Sequence, residues 1–232
     1  MLNGQITLGD LGLTEFAESK TLDRQTDRQT DRQTDRQTDR DWVGNYHSVC
    51  VTLGARNECK TERAEHDYYA TEPLAAELLI KIEELDKRIW ECACGEGHLA
   101  KVFQANGYEV KATDLIDRGY GVGNIDFLKY EGTFDGDIVT NPPYKYAQEF
   151  VEKALEVVTD GHKVCMFLKV QFLEGKARRK MFEKTPPKTV WVSSSRLHCG
   201  RNGKFGDGNM VAYAWYVWEK GFTGNTTLKW FN

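Results

Sequence analysis

Between Glu72 and Lys220 the apolar residues switch repeatedly between two periods, and few folds accept that alternation. "EPLAAELLIKIEEL" (72–85) has helical spacing, while "RIWECAC" (88–94) reads as a short buried strand leading into glycines and a second helix that begins near His98. "YEVKATD" (108–114), "DGDIVT" (135–140), "KVCMFLKV" (163–170), "KTVWVSS" (188–194) and "MVAYAWYVWEK" (210–220) read as further strands. Helices are expected at 146–158 and 174–184. Strands alternating with helices predict an α/β fold whose mostly parallel sheet is covered on both faces. The last two of these strands follow one another closely enough to form an antiparallel edge.

The chain has 232 residues, 40% hydrophobic and 12% aromatic, which suits one domain of ordinary size plus a tail. Residues 1–45 hold few large apolar side chains after Phe16 and then "DRQTDRQTDRQTDRQTDR" (23–40), a composition too polar to offset chain entropy by burial. They are expected to be a disordered tail, with the folded domain at 46–232. No apolar run approaches the roughly 20 residues that cross a bilayer, and the N-terminus lacks a signal-peptide pattern, so no membrane partner and a cytoplasmic location are expected. The six cysteines show no zinc spacing and read as reduced thiols, and no metal site is expected.

Two stretches carry chemistry. In "ECACGEGHL" (91–99) glycines let the backbone come close to a ligand, and Asp114, 19 residues after Gly95, is placed to accept hydrogen bonds from ribose hydroxyls. That layout also serves dehydrogenases, where the glycines face a pyrophosphate. The second stretch, "DIVTNPPY", sets Asn141, Pro142, Pro143 and Tyr144 directly after a buried strand, where open α/β sheets present their ligands. The prolines have no N–H and leave carbonyl acceptors, Asn141 adds a side-chain acceptor, and Tyr144 adds a flat aromatic face. Such a site suits a planar group bearing an NH2.

With these motifs in this order, the chain resembles the gamma-type N6-adenine DNA methyltransferases, over residues from about 48 to the C-terminus. "HDYYATEP" (66–73) is similar to that family's N-terminal cofactor segment, "ECACGEG" to its glycine motif, Asp114 to its ribose-binding acid, and "IDFL" (125–128) to its adenine-binding Asp-Phe. Cys92 departs from the proline common at its position. The resemblance implies a Rossmann-like class I methyltransferase sheet and S-adenosyl-L-methionine as methyl donor. It implies cofactor contacts from Tyr69, Thr71, Glu91, Cys94, Gly95, Gly97, Asp114, Asp126 and Phe127, with Thr71 at the methionine end and Asp126 and Phe127 at the adenine. The target adenine would leave the duplex stack, Asn141 and the Pro142 carbonyl would accept its amino hydrogens, and Tyr144 would stack on it.

The net charge of −4 hides an asymmetry: Lys169 to Lys204 holds ten Lys or Arg against two acidic residues. Lys176, Arg178, Arg179, Lys180, Arg196, Arg201, Lys204 and Phe205 are the expected contacts to double-stranded DNA. Only 88 residues follow Tyr144, so a short recognition sequence is expected. Other readings of the same motifs are methyl transfer to an adenine of RNA or a release-factor glutamine, and a catalytically silent DNA-binding module. The repeat reads best at the level of the gene. The codons ACA, GAC, AGA and CAG are the triplets of a tetranucleotide ACAG repeat, which spells the same four residues in every forward frame. Gain or loss of one unit shifts the frame of everything after it, and the first methionine after Met1 is Met166, beyond the NPPY motif. An on/off expression switch is therefore expected.

Overall fold

The computed structural model describes residues 68–195, 197, 199–201 and 211–232, with only the backbone of Arg201. The tail, its repeat, Arg196, Lys204, Phe205 and the Arg201 side chain lie outside the described residues. The described chain runs β1 (Tyr69–Thr71), α1 (Pro73–Ile82), β2 (Arg88–Glu91), α2 (His98–Ala105), β3 (Glu109–Ala112), β4 (Asp137–Thr140), α3 (Ala147–Val157), β5 (Lys163–Lys169), α4 (Lys176–Lys184), β6 (Thr189–Ser193), β7 (Cys199–Arg201), β8 (Tyr213–Glu219) and β9 (Thr227–Phe231).

Seven strands form one sheet in the order β3-β2-β4-β5-β8-β6-β9, and β1 pairs with β7 in a separate two-stranded ribbon. The strands β3, β2, β4 and β5 are parallel, as are β6 and β9, while β8 runs antiparallel to both its neighbours. This is the α/β, mostly parallel sheet that the alternation predicts, with its antiparallel strand on the side expected. The detail differs: β8 is inserted between β5 and β6, and β9 lies outside them at the edge.

The strands read as continuous apolar runs because both faces are covered. Trp90 and Ile138 point to one face, where they pack with Val151 and Ala154 of α3 and Met181 of α4. Ile89 and Val139, their neighbours in sequence, point to the other face and pack with Leu79 of α1 and Phe103 of α2. Each fully buried side chain of this size contributes about 1.5–3 kcal/mol. Among the described residues the buried indole N–H groups all have acceptors: Trp90 donates to Thr113 Oγ1, Trp215 to the Ala75 carbonyl and Trp218 to the Thr185 carbonyl.

Several expected elements are shorter than their apolar patterns. Helix α1 starts with Pro73, whose missing N–H costs nothing at a helix start, and stops at Ile82 although the pattern continues to Leu85. Glu83 turns extended because its carboxylate is held elsewhere, 2.8 Å from Lys163 Nζ and 2.7 Å from Trp191 Nε1. β2 ends at Glu91, so Cys92 and Cys94 lie in the turn rather than in the strand.

Candidate active site

At the carboxyl ends of β2, β3 and β4 the structure opens a cavity of about 660 Å³, a volume ordinary for a small-molecule site. Of the residues expected at the cofactor, Tyr69, Thr71, Glu91, Cys94, Asp114, Asp126 and Phe127 line it, and Asn141 and Pro143 of the NPPY turn complete the same wall. Positions separated by some 70 residues in sequence, such as Thr71 and Asn141, thus meet in one place.

Asn141 is held by its nitrogen. Its Nδ2 donates to the Tyr69 carbonyl at 2.9 Å and to Thr71 Oγ1 at 2.8 Å. A backbone carbonyl can only accept, so the amide is oriented with Oδ1 away from β1. That oxygen is buried and accepts nothing from the described residues. Leaving a buried acceptor unpaired costs about 1–3 kcal/mol, which marks the atom as one awaiting a donor.

Two carboxyl groups line the same cavity. Asp114 is fixed by backbone donors, Gly95 N to Oδ2 at 2.8 Å and Ile116 N to Oδ1 at 2.9 Å. Glu91 is 2% exposed, takes a hydrogen bond from the Ala100 backbone, and keeps Oε2 without a partner. Burial above all, and the nearby Asp114 charge, push its carboxyl well above the usual range. Asp126 caps the short 3-10 turn at Phe127–Lys129 by accepting from Leu128 N, and pairs with Lys129 at 3.0 Å. Phe127 is 2% exposed and packs edge-on against Trp90.

The glycines act differently from the expectation. Gly95 and Gly97 have positive φ, 55° and 79°, and a Cβ on either would meet an aromatic ring, Tyr68 at 2.4 Å and Tyr120 at 2.3 Å. Their missing side chains make room for two tyrosines that pack on the turn; neither glycine lines the cavity. The Tyr68 hydroxyl accepts from Glu96 N at 3.3 Å, and the Tyr120 hydroxyl donates to Gln104 Oε1 at 3.0 Å.

Tyr144 is more enclosed than a stacking residue needs to be. Its ring lies 5.3 Å from that of Tyr69, Lys169 Nζ sits 4.6 Å from its centroid, and its hydroxyl donates to Cys199 Sγ at 3.5 Å. Pro142 is buried and does not reach the cavity wall. Cys199, brought opposite Thr71 by the β1–β7 pairing, also lies 4.0 Å from Asn141 Nδ2. Burial raises its thiol to about 11 and that of Cys94 to about 12, so both are neutral near pH 7. Sequence reasoning missed Tyr68, Arg118, Tyr120, Lys169 and Cys199 at this site. Only Tyr68 had a signal, as part of "YYATEP".

The expected DNA contacts on α4 divide. Lys176 and Lys180 are exposed, and Arg179 is exposed but paired with Glu183 at 2.7 Å. Arg178 is committed to the fold: its Nε donates to the Phe172 carbonyl at 2.8 Å and its guanidinium lies 5.1 Å from the Phe172 ring centroid. Among the described residues no His, Cys, Asp and Glu cluster fits a metal ion, and no helix is long and apolar enough to cross a membrane.

No protein-family model matches the sequence, and no curated protein matches it significantly. Solved structures do. A protein described as an RNA methyltransferase from Pyrococcus horikoshii superposes with a TM-score of 0.51 at 16% identity, over 76% of this chain and 99% of that one. The chain has the Rossmann-like class I methyltransferase fold. A protein described as a class I S-adenosylmethionine-dependent methyltransferase from Listeria monocytogenes aligns at 13% identity over 68% of this chain and 62% of its own, TM-score 0.48. A modification subunit of a type I restriction enzyme from Vibrio vulnificus aligns at 14% identity over 76% and 48%, TM-score 0.47. This chain therefore spans less than two thirds of the length of the Listeria and Vibrio proteins.

Proposed function

We propose that this chain transfers a methyl group from S-adenosylmethionine to the N6 amino nitrogen of an adenine turned out of double-stranded DNA, within a short recognition sequence. The observation that carries the reading is Asn141 Oδ1, a buried acceptor with no donor among the described residues, in a cavity also lined by Glu91, Asp114 and Asp126. The cavity also fits the methyl donor: its size is adequate, and the unpaired Glu91 Oε2 and the backbone-fixed Asp114 suit a ligand rich in N–H and O–H donors. When bound, S-adenosylmethionine supplies a methyl group activated by the sulfonium.

The chain's own residues supply position and hydrogen bonds. Asp114 would accept from the ribose hydroxyls, Asp126 and Phe127 would hold the adenine of the donor, and Thr71 would contact its methionine end. Asn141 Oδ1 would accept one hydrogen of the target amino group, and the Pro142 carbonyl, which does not reach the cavity wall, would accept the second once the NPPY turn has shifted toward the base, orienting the nitrogen lone pair for transfer. Tyr144 stacks on the target base once the Tyr69 ring has moved off its face. Lys176 and Lys180 of α4 contact phosphates.

Purified protein incubated with labelled S-adenosylmethionine and duplex DNA is expected to yield N6-methyladenine, read by mass spectrometry of the digested DNA. Asn141→Ala should lower the rate by about a hundredfold or more while the methyl donor still binds. Methyl groups found on RNA or a release factor, and none on duplex DNA, would sink the DNA assignment; binding of the donor without transfer to any of these would leave a silent module. The repeat supports a separate proposal, an expression switch by change of unit number. Sequencing many clones of one population should find several repeat lengths, and a single invariant length would count against it.

A further inference from the structure

Arg118 is a cation that the fold has placed at the cavity and left half unused. It lies on the loop after β3, beyond Asp114, and lines the cavity. Its guanidinium sits 4.2 Å from the centroid of the Tyr68 ring, and Tyr68 itself rests on Gly95 and accepts from Glu96 N. Tyr68 thereby fixes Arg118 at the end of the cavity formed by β1 and the glycine turn. Its Nε–H is buried and donates to no acceptor among the described residues. A buried charged donor without an acceptor is expensive unless a ligand completes it.

The charge pattern around it indicates what that ligand carries. The cavity wall carries three carboxyl groups, Glu91, Asp114 and Asp126. Of the remaining cations there, Lys145 is exposed and lies 5.0 Å from the Tyr146 ring centroid, and burial lowers the His98 imidazole so that it is neutral near pH 7. An anionic group entering this cavity therefore meets a fixed guanidinium at one place, while cationic groups meet carboxylates elsewhere.

We infer that Arg118 binds the carboxylate of the donor's methionine moiety, which rests on the reading of this cavity as an S-adenosylmethionine site. A guanidinium held over a ring presents a planar N–H fork, which matches a carboxylate better than a flexible ammonium does.

The test is calorimetric and independent of turnover. The full chain is titrated with S-adenosylmethionine and with decarboxylated S-adenosylmethionine, which keeps the nucleoside, sulfonium and amine and lacks only the carboxylate. The wild type should bind the first about tenfold or more tightly than the second. Arg118→Gln should erase that preference by weakening S-adenosylmethionine about tenfold or more and leaving the decarboxylated compound within about twofold. Arg118→Lys, which keeps the charge and loses the fork, should retain part of it, and its melting curve guards against a folding defect. A preference that survives in Arg118→Gln, or an equal loss for both compounds, overturns the inference and makes Arg118 a packing residue for Tyr68. Equal binding of both compounds by the wild type overturns it while the methyltransferase reading stands. Failure to bind either overturns both.

Discussion

At the scale of single residues, the site is a set of polar groups that the fold leaves worse off than water would. Asn141 Oδ1, Glu91 Oε2 and Arg118 Nε are all buried without partners among the described residues, and all three residues line the same cavity. Such groups lower stability until a ligand arrives, so removing one should stabilise the empty protein. Glu91 offers the clearest case. Its folded-state carboxyl is raised by burial, so the folded protein favours the protonated form, and stability is lost as pH rises through that raised value. Glu91→Gln keeps an acceptor for the Ala100 backbone and has no charge to bury. It should raise the apo melting temperature at pH 7 by about 2–4 °C, the size of a gain of about 1 kcal/mol, and should make the curve less dependent on pH. It should also weaken binding of S-adenosylmethionine in calorimetry. A melting temperature that fell would show that Glu91 holds the apo structure together.

At the scale of elements, ends are decided by what lies across the fold. α1 stops at Ile82 because Glu83 is claimed by Lys163 at the start of β5 and by Trp191 in β6. Both ion-pair partners are mostly buried, with side chains 12% and 17% exposed, so breaking the pair leaves an ammonium in poor surroundings. Glu83→Ala should cost about 2–3 kcal/mol in urea unfolding, although a helical reading of "IKIEEL" would make alanine favourable there. The glycine turn follows the same logic. Gly97→Ala combines a φ of 79° with a Cβ placed 2.3 Å from the Tyr120 ring, so it should displace that ring and weaken donor binding more than it lowers stability. An unchanged dissociation constant in calorimetry would show that Tyr120 does not shape the cavity.

At the scale of the whole molecule, the sheet ends on a strand made by the last residues of the chain. β9 pairs with β6 from Thr227 to Phe231, Phe231 is 5% exposed, and the Asn232 side chain accepts from the Ser194 backbone at 2.9 Å. Deleting 227–232 should therefore lower stability by about 3 kcal/mol or more, mainly through the lost Phe231 burial, where a free tail would cost nothing; thermal melting of the truncated chain decides it. This strand was not legible in "TTLKWF", since only one of its five residues is buried and no period shows. The short β1 and β7 were hidden for a related reason: three residues carry no pattern, and their pairing joins positions 130 apart in sequence. What the amino-acid sequence determined by itself was the α/β architecture and the residues of the NPPY and glycine motifs, because apolar period and the backbone limits of proline and glycine are local properties. Only the tertiary structure decided which way Asn141 faces, that Gly95 and Gly97 seat tyrosines, that Arg178 serves the fold, and that Arg118 is left with a donor to give. Each depends on an acceptor, a ring or a void contributed from elsewhere in the chain, and local pattern does not encode such distances.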